Sequence, residues 1–208
     1  MEFYDAIDRR RTIREFTGEP INDEVVKRIL EAGMKAPSND HMRDWQFIVV
    51  KDREMVRRFL QKIPKGISEQ DMEDLIRDWN LNDACQQECY RKAVPKQYRM
   101  LSEAYCIIIP LFKQKTDIMQ PENLSHLNGF ASIWCCIENI LLAATAEGLG
   151  CSLRIPLGDE AEWAKEVFAF PDEYMTPCFL GLGKPDEKAE PVRQINHPID
   201  DVIHMDRW

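Results

Sequence analysis

The chain has 208 residues, of which 44% are hydrophobic and 30% charged, and its formal net charge is −9 at pH 7. This length and composition predict one globular domain, residues 1–208, with a sizeable core. The acidic balance argues against nucleic acid or a membrane surface as a partner, because both need a basic face. A small anionic ligand is still compatible with a local basic cluster.

Such a cluster lies near the start of the chain, where four arginines fall within six positions: Arg9, Arg10, Arg11 and Arg14. Thr12 lies among them. The planar fork of arginine pairs with a phosphate dianion through charge-assisted hydrogen bonds, and a neighbouring hydroxyl adds a donor. One interpretation is therefore a phosphate site. The other is a solvated basic turn, which fits Arg9 best.

The first half of the chain is predicted to contain a helix, a strand and an irregular helical region. A cap at Asn22 or Asp23 begins a helix that Pro37 ends. Residues 45–50 have the aromatic and β-branched content of a strand. Residues 61–100 are helical in composition but interrupted by prolines. We interpret them as an excursion packed over the body, with a lid as the functional alternative.

The second half of the chain predicts an α/β or α+β fold with a sheet covered by helices. The expected elements are strands over 105–112, 151–155 and 178–183 and helices over 132–147 and 160–168. The first of these strands is apolar on both faces and should be central. The helix over 132–147 is apolar almost all round, which is typical of a core or subunit interface. Its interruption by Glu138 and Asn139 should leave it short of a membrane span. We expect the tail, 184–208, to dock against another surface.

The cysteines and the N-terminus bear on the compartment. Seven cysteines form an odd count without framework spacing, which predicts reduced thiols. The N-terminus is charged from Glu2 onward and lacks the apolar run of a signal peptide, so we expect a cytoplasmic protein. Cys85 and Cys89 share a predicted helical face, and a metal or redox role is the less favoured interpretation of that pair. We predict no metal site.

Four segments, in chain order, resemble the flavin-dependent nitroreductase family. They are Arg10-Arg11-Thr12-Ile13-Arg14, Ala36-Pro37-Ser38 leading to Trp45, Glu138-Asn139-Ile140-Leu141-Leu142 running to Gly148-Leu149-Gly150, and Gly181-Leu182-Gly183-Lys184-Pro185 followed by Arg193. Only the 61–100 excursion is unmatched. The resemblance implies a mixed or antiparallel nitroreductase-like sheet. It also implies a homodimer that holds FMN between its subunits, with the 184–208 tail docked on the partner.

The resemblance also implies roles for particular residues. Arg10 and Arg193 would clamp the FMN phosphate with help from Arg11 and Thr12, and Arg14 would face the pyrimidine edge of the flavin. The residues expected near the flavin ring are Pro37, Ser38, Asn39 and His41 from the partner subunit and Leu153, Arg154, Ile155 and Pro156 by their backbone. Hydride would pass from NAD(P)H to flavin N5, and then to a small electrophile such as a nitroaromatic or quinone. No catalytic side chain is demanded.

The chain departs from the family pattern before Trp45, where His41, Arg43 and Asp44 stand in place of the Asn, Gln and Pro of many relatives. One interpretation is that His41 or Arg43 contacts the flavin or an anionic substrate. The alternative is a loop histidine and a surface pair of Arg43 with Asp44. In the excursion, we interpret Trp79, Tyr90 and Tyr98 as packing residues. Two further functions stay open: a specialised flavoenzyme, either a dehalogenase or a flavin-consuming synthase, and a non-catalytic protein that binds a phosphorylated ligand.

Overall fold

The computed structural model describes residues 1–192, 195 and 197–208. Within these residues the helices are α1 (Phe3–Arg9), α2 (Asp23–Gly33), α3 (Arg53–Phe59), α4 (Glu69–Asp78), α5 (Ala84–Ala93), α6 (Arg99–Ser102), α7 (Asn128–Ala146) and α8 (Glu160–Phe168). The strands are β1 (Trp45–Val50), β2 (Cys106–Lys113), β3 (Gly150–Arg154), β4 (Tyr174–Met175) and β5 (Phe179–Gly183). The expected mixed fold, with a helix-covered sheet, is confirmed.

The sheet has the strand order β1-β2-β5-β3, and its strand pairs are antiparallel. The predicted central strand is β2, whose residues from Cys106 to Phe112 are buried. Pro110 lies opposite Phe47 of β1, between the parts of β2 that pair with β5 and with β4. The two-residue strand β4 was not predicted, because so short a segment carries no periodic pattern.

Helices cover both faces of the sheet and form two core clusters. On one face, α2 and α7 pack against alternate residues of β2 such as Ile108. On the other face, Phe59 of α3, Leu101 of α6 and Ala164 of α8 pack with Ile107. The neighbours Ile107 and Ile108 thus enter different clusters, since successive side chains of a strand point to opposite faces. A third, small cluster of Met72, Ile76 and Leu81 lies in the excursion.

Helix α7 shows both the strength and the limit of the sequence prediction. Its buried face carries Ile133, Cys136, Ile137, Ile140 and Ala144. Trp134 and Leu141 pack at the margin of this core and, like Leu142, are only half-buried in the single protomer. Contrary to expectation, the 23 residues Leu124–Ala146 have the length and composition of a membrane span. One face of α7 lies in the core, so packing against the core accounts for the apolar residues on that face.

The end of α2 differs from the prediction, whereas the docking of the tail stays a prediction. Helix α2 ends at Gly33, before Pro37, and the Ala36 N–H donates to the Gly33 carbonyl in the turn that follows. In the tail, a short 3₁₀ turn at Ile199–Asp201 is followed by Val202, Met205 and Trp208, all exposed. Trp208 is 99% exposed, and residues 197–208 are all exposed, so this end of the tail is not covered by its own protomer.

Candidate functional site

A cavity of about 480 Å³ brings together three parts of the chain that are distant in sequence. The first is the N-terminal arginine segment, the second is the end of β3 and the loop after it, and the third is the excursion. Its lining residues are Arg10, Arg11, Thr12, Arg14, Leu75, Trp79, Cys89, Tyr90, Ala93, Val94, Gln97, Leu153, Arg154, Ile155, Leu157 and Val192. Seven of the residues predicted for a ligand site therefore share one cavity wall.

The arginine segment is attached to β3 by its backbone. Thr12 forms a parallel bridge with Cys151, and the Ile13 N–H donates to the Cys151 carbonyl at 2.9 Å. Gly150 permits this approach, because a Cβ at that position would lie 2.7 Å from Ile13 Cβ. Two residues earlier, Gly148 has a φ of +74° and ends α7. The two glycines thus turn the chain from α7 into β3 and leave room for the arginines.

The arginines differ in how they are satisfied. Arg11 Nη1 donates to the carbonyls of Asp8 and Arg10, each at 2.7 Å. Arg10 Nε lies 3.7 Å from Glu138 Oε1, a loose ion pair at the surface of α7. Arg9 is exposed and does not line the cavity, as the solvated-turn interpretation expects. The segment therefore directs some of its positive charge into the cavity and some into solvent.

Arg14 is the strongest sign that the cavity takes a ligand. Burial lowers the pKa of its guanidinium. Among the described residues, its buried Nε has no hydrogen-bond partner. A buried, charged donor left unpaired is costly, so the position calls for an acceptor that the described residues do not supply. An anionic group with several acceptors, such as a phosphate or a flavin edge, fits these donors.

The side chain of Arg154, a residue expected to approach the flavin by its backbone, forms a buried ion pair. Its side chain is only 6% exposed, and its Nε donates to Glu160 Oε2 at 2.9 Å. Its Nη1 donates to Gln97 Oε1 at 3.1 Å. Glu160 Oε2 also accepts from the Leu157 N–H at 3.2 Å. The buried ion pair therefore fixes the loop after β3 and joins it to the excursion.

Glu160 and Gln97 were missed by the sequence analysis. Glu160 is 4% exposed, although it stands at the first position of α8, where an acidic residue is ordinarily a solvated helix start. Gln97 lies in the excursion, for which the sequence offered no pattern. No local signal distinguishes either residue, since each is defined by its contact with Arg154 across the fold.

The excursion forms one wall of the cavity. Trp79 is 52% exposed, and its ring meets that of Tyr90 edge to face at 5.9 Å. Both were interpreted as packing residues; they pack on each other and also line the cavity. Lys96 pairs with Glu15, next to Arg14, and holds the end of the excursion to the arginine segment. The excursion thus covers the site and is tied to it by side chains.

The second group of predicted residues lies elsewhere in the protomer. Ser38 and Asn39 line a separate cavity of about 230 Å³ near the start of α7. The Asn39 N–H donates to Ser132 Oγ at 3.0 Å, and Asn128 Nδ2 donates to Asn39 Oδ1 at 3.1 Å. Pro37, His41 and Pro156 are outside the described linings of both cavities, and Arg193 lies outside the described residues.

The loop before β1 has an unusual backbone. Asp40, His41 and Arg43 have φ values of 50°, 53° and 46°, a backbone region that residues other than glycine rarely adopt. Arg43 lines the 230 Å³ cavity, and in the described part of the chain it forms no ion pair with Asp44. Strain of this kind is kept where neighbouring contacts fix the chain. Here Ser38 Oγ accepts from the Arg43 N–H at 3.2 Å.

The described residues contain no group of three or more His, Cys, Asp or Glu side chains arranged to hold a metal ion. The seven cysteines are free thiols. The polar side chains that line the cavity of about 480 Å³ carry guanidinium, hydroxyl, amide and thiol groups, beside aromatic and apolar walls.

Comparison with known proteins gives a consistent result. A model of the nitroreductase family matches residues 7–184. A protein of Methanothermobacter thermautotrophicus, provisionally named NADH dehydrogenase/NAD(P)H nitroreductase, is 29% identical over 100% of this chain and 88% of its own. Iodotyrosine deiodinase of Daphnia pulex is 27% identical over 93% of this chain and 65% of its own.

A solved structure shares the fold closely. Oxidised iodotyrosine deiodinase bound to FMN and 3-iodo-L-tyrosine superposes with a TM-score of 0.73 at 20% identity, covering 100% of both chains.

Proposed function

This chain belongs to the nitroreductase family of flavoprotein oxidoreductases, and from that premise we propose that it binds FMN and passes hydride from NAD(P)H to a small electrophile. The observation that carries the proposal is the cavity of about 480 Å³ in which Arg14, unpaired at Nε among the described residues, meets the end of β3. We further propose that the whole chain is one domain and acts in the cytoplasm.

Arg10 and Arg11, with the Thr12 hydroxyl, would hold the phosphate of FMN, and Arg193 would join them. Arg14 would face the pyrimidine edge, where a reduced flavin carries negative charge, and a fixed guanidinium there favours reduction. When bound, the flavin supplies the hydride chemistry itself. The burial that lowers the pKa of Arg14 in the protomer alone is offset by such an anionic neighbour.

The loop after β3 supplies donors that do not titrate. Leu153, Arg154, Ile155 and Leu157 line one side of the cavity, and the ion pair of Arg154 with Glu160 holds that stretch in place. A fixed backbone donor costs little reorganisation when charge develops beside it. We therefore assign Arg154 and Glu160 a positioning role rather than a contact with the reacting atoms.

We propose that the active form is a homodimer and that the partner's loop completes the site. Within one protomer, Ser38 and Asn39 line a different cavity from the arginines. Of the 19 residues of α7 only five are fully buried, and Phe3 and Tyr4 of α1, beside it, are 64% and 78% exposed. Apolar surface of this extent is typical of a subunit interface. Trp208 and its neighbours in the tail would add to the same interface.

A dehalogenase is the second candidate function. The deiodinase likeness extends over the full chain, and the excursion covers the cavity with Trp79 and Tyr90, aromatic groups suited to stack on an aryl ring. The acceptor separates the two candidates, whereas the flavin is common to both.

The first test is an absorbance spectrum of the purified protein, before and after anaerobic NADH or NADPH. We expect flavin bands that one of the nucleotides bleaches, and reoxidation on adding either a nitroaromatic or a halogenated phenol, which names the acceptor class. A colourless protein that takes up no added FMN overturns the proposal. If neither nucleotide reduces the flavin, NAD(P)H is not the electron donor of the proposed reaction.

A further inference from the structure

Two cysteines of α5 stand at the edge of the candidate flavin cavity. Cys85 and Cys89 both line a smaller cavity of about 310 Å³ together with Lys92 and Val192. Cys89 and Val192 also line the 480 Å³ cavity, so they form the partition between the two spaces. Both thiols are half-buried and therefore reachable by small solutes.

The spacing suits a reversible bond between the two thiols. Four residues apart on α5, they lie on one face of the helix, with Cα atoms about 6 Å apart by helix geometry, inside the range that disulfides span. Their Cβ atoms, about 5–6 Å apart in such a pair, must approach by about 1–2 Å. None of the ten residues of α5 is fully buried, so a local tightening of this turn disturbs no core packing.

The other five cysteines lack this setting. Cys106, Cys136 and Cys151 lie in the core, where burial raises each pKa to about 12. Cys178 is likewise buried, and Cys135 is exposed on α7, beside Cys136, outside both cavities. Burial raises the pKa of the Cys89 thiol as well, and Cys85 adds to that shift, but Cys89 also interacts electrostatically with Arg14, whose Nε is unpaired among the described residues. Only this pair joins the flavin cavity to an outer one.

We propose that Cys85 and Cys89 are a redox-active thiol pair that exchanges two electrons with the flavin of the adjoining cavity and delivers them to an oxidant entering the outer cavity. The proposal rests on the proposed function, since it needs FMN beside Cys89. The class of oxidant that suits such a pair is a peroxide or a low-molecular-weight disulfide.

The electrons balance over the two half-steps. When the pair closes, two thiols lose two protons and two electrons as the S–S bond forms, and hydrogen peroxide, for example, takes both and leaves as two waters. When the pair opens, the disulfide accepts two electrons from the reduced flavin and two protons. The S–S bond then breaks into two thiols and the flavin is oxidised.

The first experiment detects closure of the pair in the full-length protein. Trypsin releases residues 78–91 as one peptide that contains both cysteines and no other. After treatment with hydrogen peroxide, we expect this peptide to resist alkylation and to be lighter by two hydrogens, and dithiothreitol should restore both thiols. Cys85→Ser should abolish the mass change, whereas Cys135→Ser, the matched exposed control, should leave it intact. A peptide that keeps two alkylatable thiols overturns the proposal.

The second experiment tests the exchange with flavin. Anaerobic titration of the oxidised holoprotein with dithionite should take up two electron pairs per protomer, one for FMN and one for the disulfide. Cys85→Ser or Cys89→Ser should take up one. A disulfide that persists after the flavin is fully bleached overturns the electron exchange. A protein that binds no FMN, with the peptide test positive, instead overturns the proposed function.

Discussion

The two walls of the cavity are attached to the sheet in different ways. The arginine segment is bonded to β3 through the backbone at Thr12, Ile13 and Cys151, at a place cleared by Gly150. The excursion is instead held by side-chain contacts, Lys96 to Glu15 and Gln97 to Arg154, and has a small cluster of its own. A wall held by side chains can vary without disturbing the sheet, whereas the backbone-bonded wall cannot.

This difference explains where the family resemblance is found. The matching motifs lie on the segments bonded to the sheet, and the excursion, which matches none of them, supplies nearly half of the lining residues. We infer that the sheet-bound wall holds the cofactor and that the excursion sets the acceptor. The variants below separate the two.

The largest expected effect is on the sheet-bound wall. Arg10→Ala combined with Arg193→Ala should weaken FMN binding by a hundredfold or more, because each charged hydrogen bond contributes about 1.5–3 kcal/mol. Fluorescence titration of the apoprotein with FMN measures this. Arg9→Ala is the matched control, since Arg9 is exposed beside the cavity and should leave binding unchanged. A double variant that retains full FMN content contradicts the phosphate assignment.

The next effect concerns the buried ion pair that joins the two walls. Glu160→Ala leaves Arg154 buried and uncompensated, and we expect a loss of about 3–5 kcal/mol in the free energy of unfolding, measured by urea denaturation. Asp159→Ala is the control. Its ion pair with Lys62 is exposed to solvent, so the loss should be far smaller than that of Glu160→Ala. Equal losses in the free energy of unfolding would show that the buried pair contributes no more to stability than the exposed one.

A smaller effect is expected from filling the space at β3. In Gly150→Ala, the new Cβ would lie 2.7 Å from Ile13 Cβ, so the arginine segment must shift. We expect about 1–3 kcal/mol of destabilisation together with weaker FMN binding. Gly66→Ala, where a Cβ meets nothing within 4 Å, should change neither quantity. If Gly150→Ala binds FMN as the wild type does, the segment is less fixed than its backbone bonds imply.

The smallest effect on the cofactor should come from the excursion. Trp79→Ala removes an aromatic wall that is 52% exposed and lies on no strand of the sheet. We expect unchanged FMN affinity and a several-fold rise in the KM for the acceptor, with Trp79→Phe close to wild type. Steady-state kinetics and the FMN titration measure the two properties separately. If Trp79→Ala lost FMN, the excursion would also bind the cofactor, and the two walls would not differ in function.

Much of the fold followed from local patterns, and part of the site did not. Local sequence patterns predicted three features: the apolar run of β2, the apolar stripe of α7 and the cluster at Arg10–Arg14. In each of them, residues that are neighbours along the chain share one environment. Glu160 and Gln97 are not, since their importance comes from Arg154 across the fold. The roles of Ser38 and Asn39 stay predictions, because the protomer places them in another cavity.

The bridge between Thr12 and Cys151 has one more consequence. β3 is the last strand of the sheet, and its outer edge presents backbone groups that could pair with another chain. The arginine segment covers that edge, with the Ile13 N–H on the Cys151 carbonyl. A ligand that holds these arginines in place would also keep the outer edge of β3 covered. Stripping the ligand should therefore make the protein more prone to aggregate, and light scattering of the stripped and refilled protein would report it.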